Sequence, residues 1–230
     1  MADFPFDAVL FDCDGVLVDS EPITNRVLTE MLGELGWQLS VEETMRIFVG
    51  KAVKDEAPLI EARTGFAITT DWLMQFRQRR NVALDSELRA IPGAASTART
   101  LYAALKGRIA VASGADRIKV ELQLAKAGIL DCFEGRIFSG HEVPRSKPFP
   151  DVYLAAAAAL GMDPKRCAVV EDTVTGATAG IAAGATVFGY CPAELGHSSA
   201  TALHGAGAAY VFRDMAELPA LLAGWRGGAR

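Results

Sequence analysis

Apolar positions along the 230-residue chain follow two alternating patterns. Short, nearly continuous apolar runs recur as DAVLFD (7–12), RIAVAS (108–113), GRIFSG (135–140), CAVVED (167–172), ATVFGY (185–190) and AAYVFR (208–213). Runs of that length and composition read as strands buried on both faces, the pattern of a parallel sheet. Between them lie segments with apolar residues at helical spacing, including RIKVELQLAKAGI (117–129) and DVYLAAAAALG (151–161). Strand and helix in alternation predict an α/β fold with a doubly wound parallel sheet.

Residues 13–107 break the alternation. In ITNRVLTEMLGELG, Ile23, Val27, Leu28, Met31, Leu32 and Leu35 repeat with the helical period. Ser40 with Glu43 three residues on is a capping-box pattern opening VEETMRIF. TTDWLMQFRQRRNVALDSEL (69–88) continues in helical character, and IPGA (91–94) supplies a turn back. A connection this long with apolar faces of its own predicts an inserted helical subdomain over 19–87, within an α/β core formed by 1–18 and 88–230.

Composition narrows the function classes. Half the residues are hydrophobic and 22% are charged, enough apolar surface for a packed core. The formal charge of −5 offers no basic face for nucleic acid. No apolar run reaches the ~20 residues of a membrane span, and MADFPF lacks the regions of a signal peptide. Cys13, Cys132, Cys167 and Cys191 are scattered, without the spacing of a zinc site or disulfide framework. His141, His197 and His204 are too far apart to form a motif metal site. The expectation is a cytoplasmic, monomeric protein with no nucleic-acid or membrane partner.

In doubly wound sheets ligands bind beyond the carboxyl ends of the strands. Those ends carry Asp12 and Asp14 on the first strand, Ser113 and Gly114 on the second, and Glu171 and Asp172 on the fourth. Lys147 lies in the proline-bounded stretch PRSKPFPD. Singly, each has a structural explanation: DxD as a turn or cap, Ser113 as a strand-end cap, Lys147 as a solvated side chain, Glu171-Asp172 as a helix cap. A calcium loop fails on spacing, because Val16 and Ile23 stand where acids are needed. At successive strand ends the set points instead to a hard cation such as Mg²⁺ and a phosphoryl group. One aspartate is then free to act as nucleophile and the other to move a proton, both facing substrate if the segment is extended.

FDCDGVLVDSE, VASG, SKPFPDVY and VVEDTVTGATAG, in that order, resemble the four motifs of the haloacid dehalogenase-like hydrolase superfamily. The inserted helices resemble the small helical cap of its β-phosphoglucomutase-like and sugar phosphatase branch. That resemblance implies a Rossmann-like core, with Asp12 as nucleophile and Asp14 as general acid/base, its backbone carbonyl touching Mg²⁺. Ser113, Gly114 and Lys147 would hold phosphate. Asp172 would bind the metal together with Asp12 and Glu171, the last directly or through water. Asp19 would serve structurally near a cap hinge, the hinges falling near 18–22 and 85–92.

The letters also separate branches. Dehalogenases resemble this chain in fold but lack the acid/base aspartate present here as Asp14. β-Phosphoglucomutases carry a histidine where this chain has Thr24, and a cap arginine near FVGKAVKDE where it has only Lys51 and Lys54. The reading is therefore a Mg²⁺-dependent phosphatase acting on a small phosphorylated metabolite, a sugar phosphate, through an aspartyl phosphate. A phosphohexomutase is the alternative, and a catalytically silent binding protein the remaining one. Substrate contacts are expected from Lys51, Lys54 and Arg117, with Arg77 and Arg80 as further cap candidates. Relatives with a segment similar to RNVALDSELRAIPGA act on 6-phosphogluconate.

Overall fold

The computed structural model describes residues 4–192 and 197–227; the first residues of the stretch read for a signal peptide lie outside them. The chain divides into two compact units, Met1–Val18 with Ala90–Arg230, and Asp19–Arg89.

The first unit is α/β. Strand β1 (Ala8–Phe11) lies at the middle of a six-stranded sheet ordered β3-β2-β1-β4-β5-β6, in which every neighbouring pair is parallel. The others are β2 (Ile109–Ser113), β3 (Ile137–Ser139), β4 (Cys167–Glu171), β5 (Thr186–Tyr190) and β6 (Tyr210–Phe212). β1, β2 and β4 are buried throughout, as continuous apolar runs require when helices cover both faces. One layer of that core packs Leu10, Ala110, Val169 and Val187 against Val152, Tyr153 and Ala177. Parallel order with β1 between β2 and β4 puts the ends of three chemistry-bearing strands side by side.

The second unit holds helices α1 (Glu21–Glu34), α2 (Val41–Phe48), α3 (Ala57–Thr64) and α4 (Thr70–Glu87). The capping box forms: Glu43 N–H donates to Ser40 Oγ (3.1 Å) and Ser40 N–H to Glu43 Oε2 (2.8 Å). Val27, Leu28, Met31, Leu32, Phe48, Ile60, Trp72 and Phe76 form its core. The helices of the α/β unit are α5 (Ala94–Ala104), α6 (Arg117–Lys126), α7 (Asp151–Ala159), α8 (Val174–Ala182), α9 (Ala200–Gly205) and α10 (Leu218–Gly224).

Candidate active site

The chain leaves β1 at Asp12, whose N–H still donates to Val170 O on β4 (3.0 Å). It then coils tightly: the N–H groups of Val16, Leu17 and Val18 all point at Cys13 O, and Gly15 takes φ +75. That left-handed conformation is one a side chain resists. The extended geometry expected for the DxD segment is therefore corrected, since coiling around Cys13 sends the two carboxylates to different partners. Asp12 Oδ1 accepts from Lys147 Nζ (2.7 Å), whereas Asp14 Oδ1 accepts from Lys119 Nζ (2.7 Å) and Gln123 Nε2 (2.7 Å).

Lys147 is buried and bridges two acids, with Glu171 Oε1 at 2.6 Å on its other side. Its ammonium also lies 4.8 Å from the centre of the Tyr153 ring. Glu171, fully removed from solvent, is saturated with donors. Oε1 accepts from Lys147 and from Tyr153 Oη (2.9 Å). Oε2 accepts from Asp172 N–H (3.1 Å), Thr173 N–H (3.2 Å) and Thr173 Oγ1 (3.0 Å). Buried carboxylates demand this degree of pairing. Gly176 makes room for it, since a Cβ there would stand 1.7 Å from Glu171 Oε1.

Burial pushes the Asp12 carboxyl well above the ordinary aspartate range; Lys147 pulls it down, while Glu171, Asp172 and Asp14 add to the rise. Burial alone would lower Lys147, but the facing Asp12 and Glu171 charges outweigh it and hold the ammonium well above its usual value. Lys147 is therefore a fixed cation, and Asp12 is a carboxyl whose ionisation a second cation would favour.

Carboxylate oxygens of Asp12, Glu171 and Asp172 lie within 4.8 Å of one another, a group that could hold a metal ion. An all-oxygen set suits a hard divalent ion. The backbone at Gly15 also approaches this carboxylate closely, since a Cβ there would stand 2.1 Å from Asp172 Oδ2. His197 Nδ1 lies 2.5 Å from the same oxygen. The histidines read as dispersed thus do supply one ring to the acid cluster, because His197 lies beside Asp172, just past the end of β4.

Ser113, at the end of β2, is buried, and its Oγ accepts from Ala115 N–H (3.1 Å). A hydroxyl in that state keeps its hydrogen to donate. Gly114 follows it, with Ser146 Oγ 3.9 Å from where its Cβ would be.

The expected substrate contacts are disposed differently. Arg117 gives its guanidinium to Glu142 (2.7 and 2.5 Å) and to Ile137 O (2.8 Å). In the helical unit Lys51 pairs with Glu56 (3.4 Å), Lys54 is exposed and Arg77 partly exposed. Arg80 is buried, bonds Asn81 Oδ1 (3.0 and 2.8 Å) and lies 5.7 Å from the Phe76 ring centre.

A family model described as haloacid dehalogenase-like hydrolase matches residues 6–184. The chain belongs to that family. The hydrolase is 34% identical over 186 residues to the 6-phosphogluconate phosphatase of Escherichia coli K12, covering 80% of this chain and 82% of the relative. It is 31% identical to hexitol phosphatase B of the same strain, covering 76% and 79%. Among solved structures, it is 41% identical to a HAD family hydrolase from Deinococcus radiodurans R1 with bound phosphate and sodium. That match covers 96% of both chains, with a TM-score of 0.75.

Several site residues of the hydrolase escaped the sequence reading. Tyr153 and Thr173 sit inside quoted motifs, yet nothing in their letters showed that both serve Glu171. Lys119 and Gln123 read as one face of an ordinary helix. The signal available was a charge and an amide at i, i+4 alongside Val120 and Leu124, on the buried side of α6.

Proposed function

We propose that this HAD-like hydrolase is a Mg²⁺-dependent phosphatase of sugar phosphates, working through an aspartyl phosphate on Asp12. The observation that carries it is Lys147, a buried ammonium bridging Asp12 and Glu171 beside the Asp172 carboxylate. A cation fixed against a nucleophile at strand ends is suited to a phosphoryl dianion. The phosphatase relatives agree with this reading, and their substrates suggest its class.

Asp12 attacks phosphorus; the Asp12 O–P bond forms as the ester O–P bond breaks. The leaving oxygen keeps the electron pair of the broken bond and takes a proton from Asp14. Asp14, now a carboxylate, accepts a proton from water as the water oxygen attacks phosphorus. The Asp12 O–P bond then breaks, releasing inorganic phosphate and restoring the carboxylate. Ser113, Gly114 and Lys147 bind the phosphoryl oxygens. Asp12 and Asp172, with Glu171 behind them, would hold Mg²⁺, which neutralises phosphoryl charge when bound. The donors already on Glu171 favour its acting through water and by holding Lys147. The helical unit is assigned substrate selection through Lys51 and Lys54, and Arg117, at the start of α6 in the α/β unit, is assigned a further substrate contact.

The reading includes a monomer acting in the cytoplasm. No helix among the described residues is long and apolar enough to cross a membrane. Thr24 in place of a histidine favours water over a sugar as acceptor, so a phosphohexomutase is not carried further.

Phosphate release is the test. With Mg²⁺, purified protein is expected to hydrolyse 6-phosphogluconate or a hexitol phosphate, and EDTA and Asp12→Asn each to abolish turnover. No release from a broad sugar phosphate panel, or turnover surviving in Asp12→Asn, overturns the proposal. Conversion of β-glucose 1-phosphate to glucose 6-phosphate without free phosphate would establish the mutase instead.

A further inference from the structure

We propose that Lys119 and Gln123 are positioning residues for proton transfer, holding the Asp14 carboxylate in one orientation from within the α/β unit. The inference rests on the reading of Asp14 as the proton-transfer residue and adds what fixes it there.

Asp14 sits on a coiled segment after β1, and its side chain alone has no reason to keep one rotamer. Two donors converge on its Oδ1: Lys119 Nζ at 2.7 Å and Gln123 Nε2 at 2.7 Å. Both come from α6, one turn apart, so they approach along a single helix face. The helix is fixed in turn. Asp116 caps it by accepting from Lys119 N–H (3.1 Å), and Val120 and Leu124 are wholly buried between and beyond the two donors.

Gln123 is itself oriented. Its Oε1 accepts from Cys13 Sγ at 3.3 Å, which turns the amide nitrogen toward Asp14. The residue between the two aspartates thereby sets the amide that holds the second one. The side chain of Lys119 is only 5% exposed and that of Asp14 14%. Burying a lysine is costly unless its partner is well placed, and a surface helix needs neither a lysine nor a glutamine inside. All four residues belong to one unit, so the orientation of Asp14 is set by contacts within that unit.

The chemical consequence depends on the ester. An ester with a basic leaving oxygen needs the Asp14 proton as its O–P bond breaks, whereas 4-nitrophenolate leaves without it. The value of kcat/KM reports formation of the Asp12 phosphate, so comparing esters isolates that proton transfer. Phenyl phosphate and 4-nitrophenyl phosphate suit the comparison, because neither carries a sugar to be recognised.

With Mg²⁺ present, Lys119→Met is expected to lower kcat/KM for phenyl phosphate about tenfold more than for 4-nitrophenyl phosphate. Gln123→Leu should show the same selectivity to a smaller degree, and Lys119→Arg should recover most of the loss. Asp14→Asn should show the selectivity at its largest. Equal losses on both esters in Lys119→Met and Gln123→Leu, or no loss on phenyl phosphate, overturn the proposal. If Asp14→Asn itself shows no selectivity, the parent reading of Asp14 fails, a different result from selectivity confined to Asp14→Asn. Should Lys119→Met not fold, Gln123→Leu and Lys119→Arg still decide it.

Discussion

In the α/β unit Asp12, Asp14, Lys119, Lys147, Glu171 and Asp172 are largely removed from water and bonded to one another. In the helical unit Arg26 pairs with Glu30 and Glu87, and Arg79 with Glu34, on side chains that are 40–57% exposed. The core of that unit is instead aliphatic and aromatic, with Trp72 stacked on Phe76 (centroids 6.1 Å apart). One unit accepts the desolvation of charge to prepare chemistry. The other keeps most of its charge in solvent, where pairing contributes little. Substitutions of equal chemical size should therefore differ widely in effect between the two.

The largest effect is expected at Lys147. Lys147→Met leaves Asp12 and Glu171 buried without their shared cation, at a cost of about 3–5 kcal/mol, and turnover should fall by about a thousandfold or more. The loss should depend on pH with a definite sign. Burial raises the folded-state value of Asp12 above 3.8, so the native state holds a proton that the unfolded chain has released. Stability from that group is therefore present at low pH and lost as pH rises through the raised folded value. Removing Lys147 removes the downward pull and enlarges the effect. Urea unfolding without divalent ions should show a greater deficit at pH 8 than at pH 5. An equal deficit at both would mean the two carboxyls are not as desolvated as the geometry indicates.

What the sequence disclosed about the site follows from how each residue is used. Asp12, Ser113 and Glu171-Asp172 were legible because parallel strands deliver their last residues to one edge, and the apolar runs marked those strands. Lys147 was legible only in company with those strand-end acids and through its motif. Lys119, Gln123 and Tyr153 were hidden because a buried polar residue on an amphipathic helix looks, in sequence, like a break in the pattern. His197 was hidden because its partner lies 25 residues away, and no local spacing connects them. The burial of Arg80 was hidden for the complementary reason: an arginine within the polar stretch QRRN lies buried near an aromatic ring. The helices of the second unit were plain, since their apolar spacing and the Ser40–Glu43 capping box are local.

A second substitution probes the helical unit where its stability resides. Phe76, almost fully buried, stacks on Trp72 and carries the Arg80 guanidinium on its other contacts. Phe76→Ala should cost that unit about 3–5 kcal/mol through lost burial and the cavity left behind. Amide hydrogen exchange should quicken across α1, α2 and α4 while β1, β2 and β4 keep their protection. Faster exchange spreading through the sheet would show that the two cores are energetically one, and the contrast between them would have to be abandoned.

The smallest effect is the sharpest check on the electrostatic half of the comparison. Arg26 Nη2 lies only 2.6 Å from Glu87 Oε1, a shorter contact than Lys147 makes with Asp12. If distance governed the worth of an ion pair, Arg26→Ala would rival Lys147→Met. Solvent decides otherwise, because water around half-exposed side chains screens the pair and restores the lost interactions to each partner. Arg26→Ala should therefore shift stability by about half a kcal/mol or less, and added salt should erase most of what remains. A double-mutant cycle with Glu87→Ala, run at low and high salt, measures the coupling directly. Coupling of several kcal/mol that survives salt would place a buried-type pair in the helical unit and remove the distinction between the two.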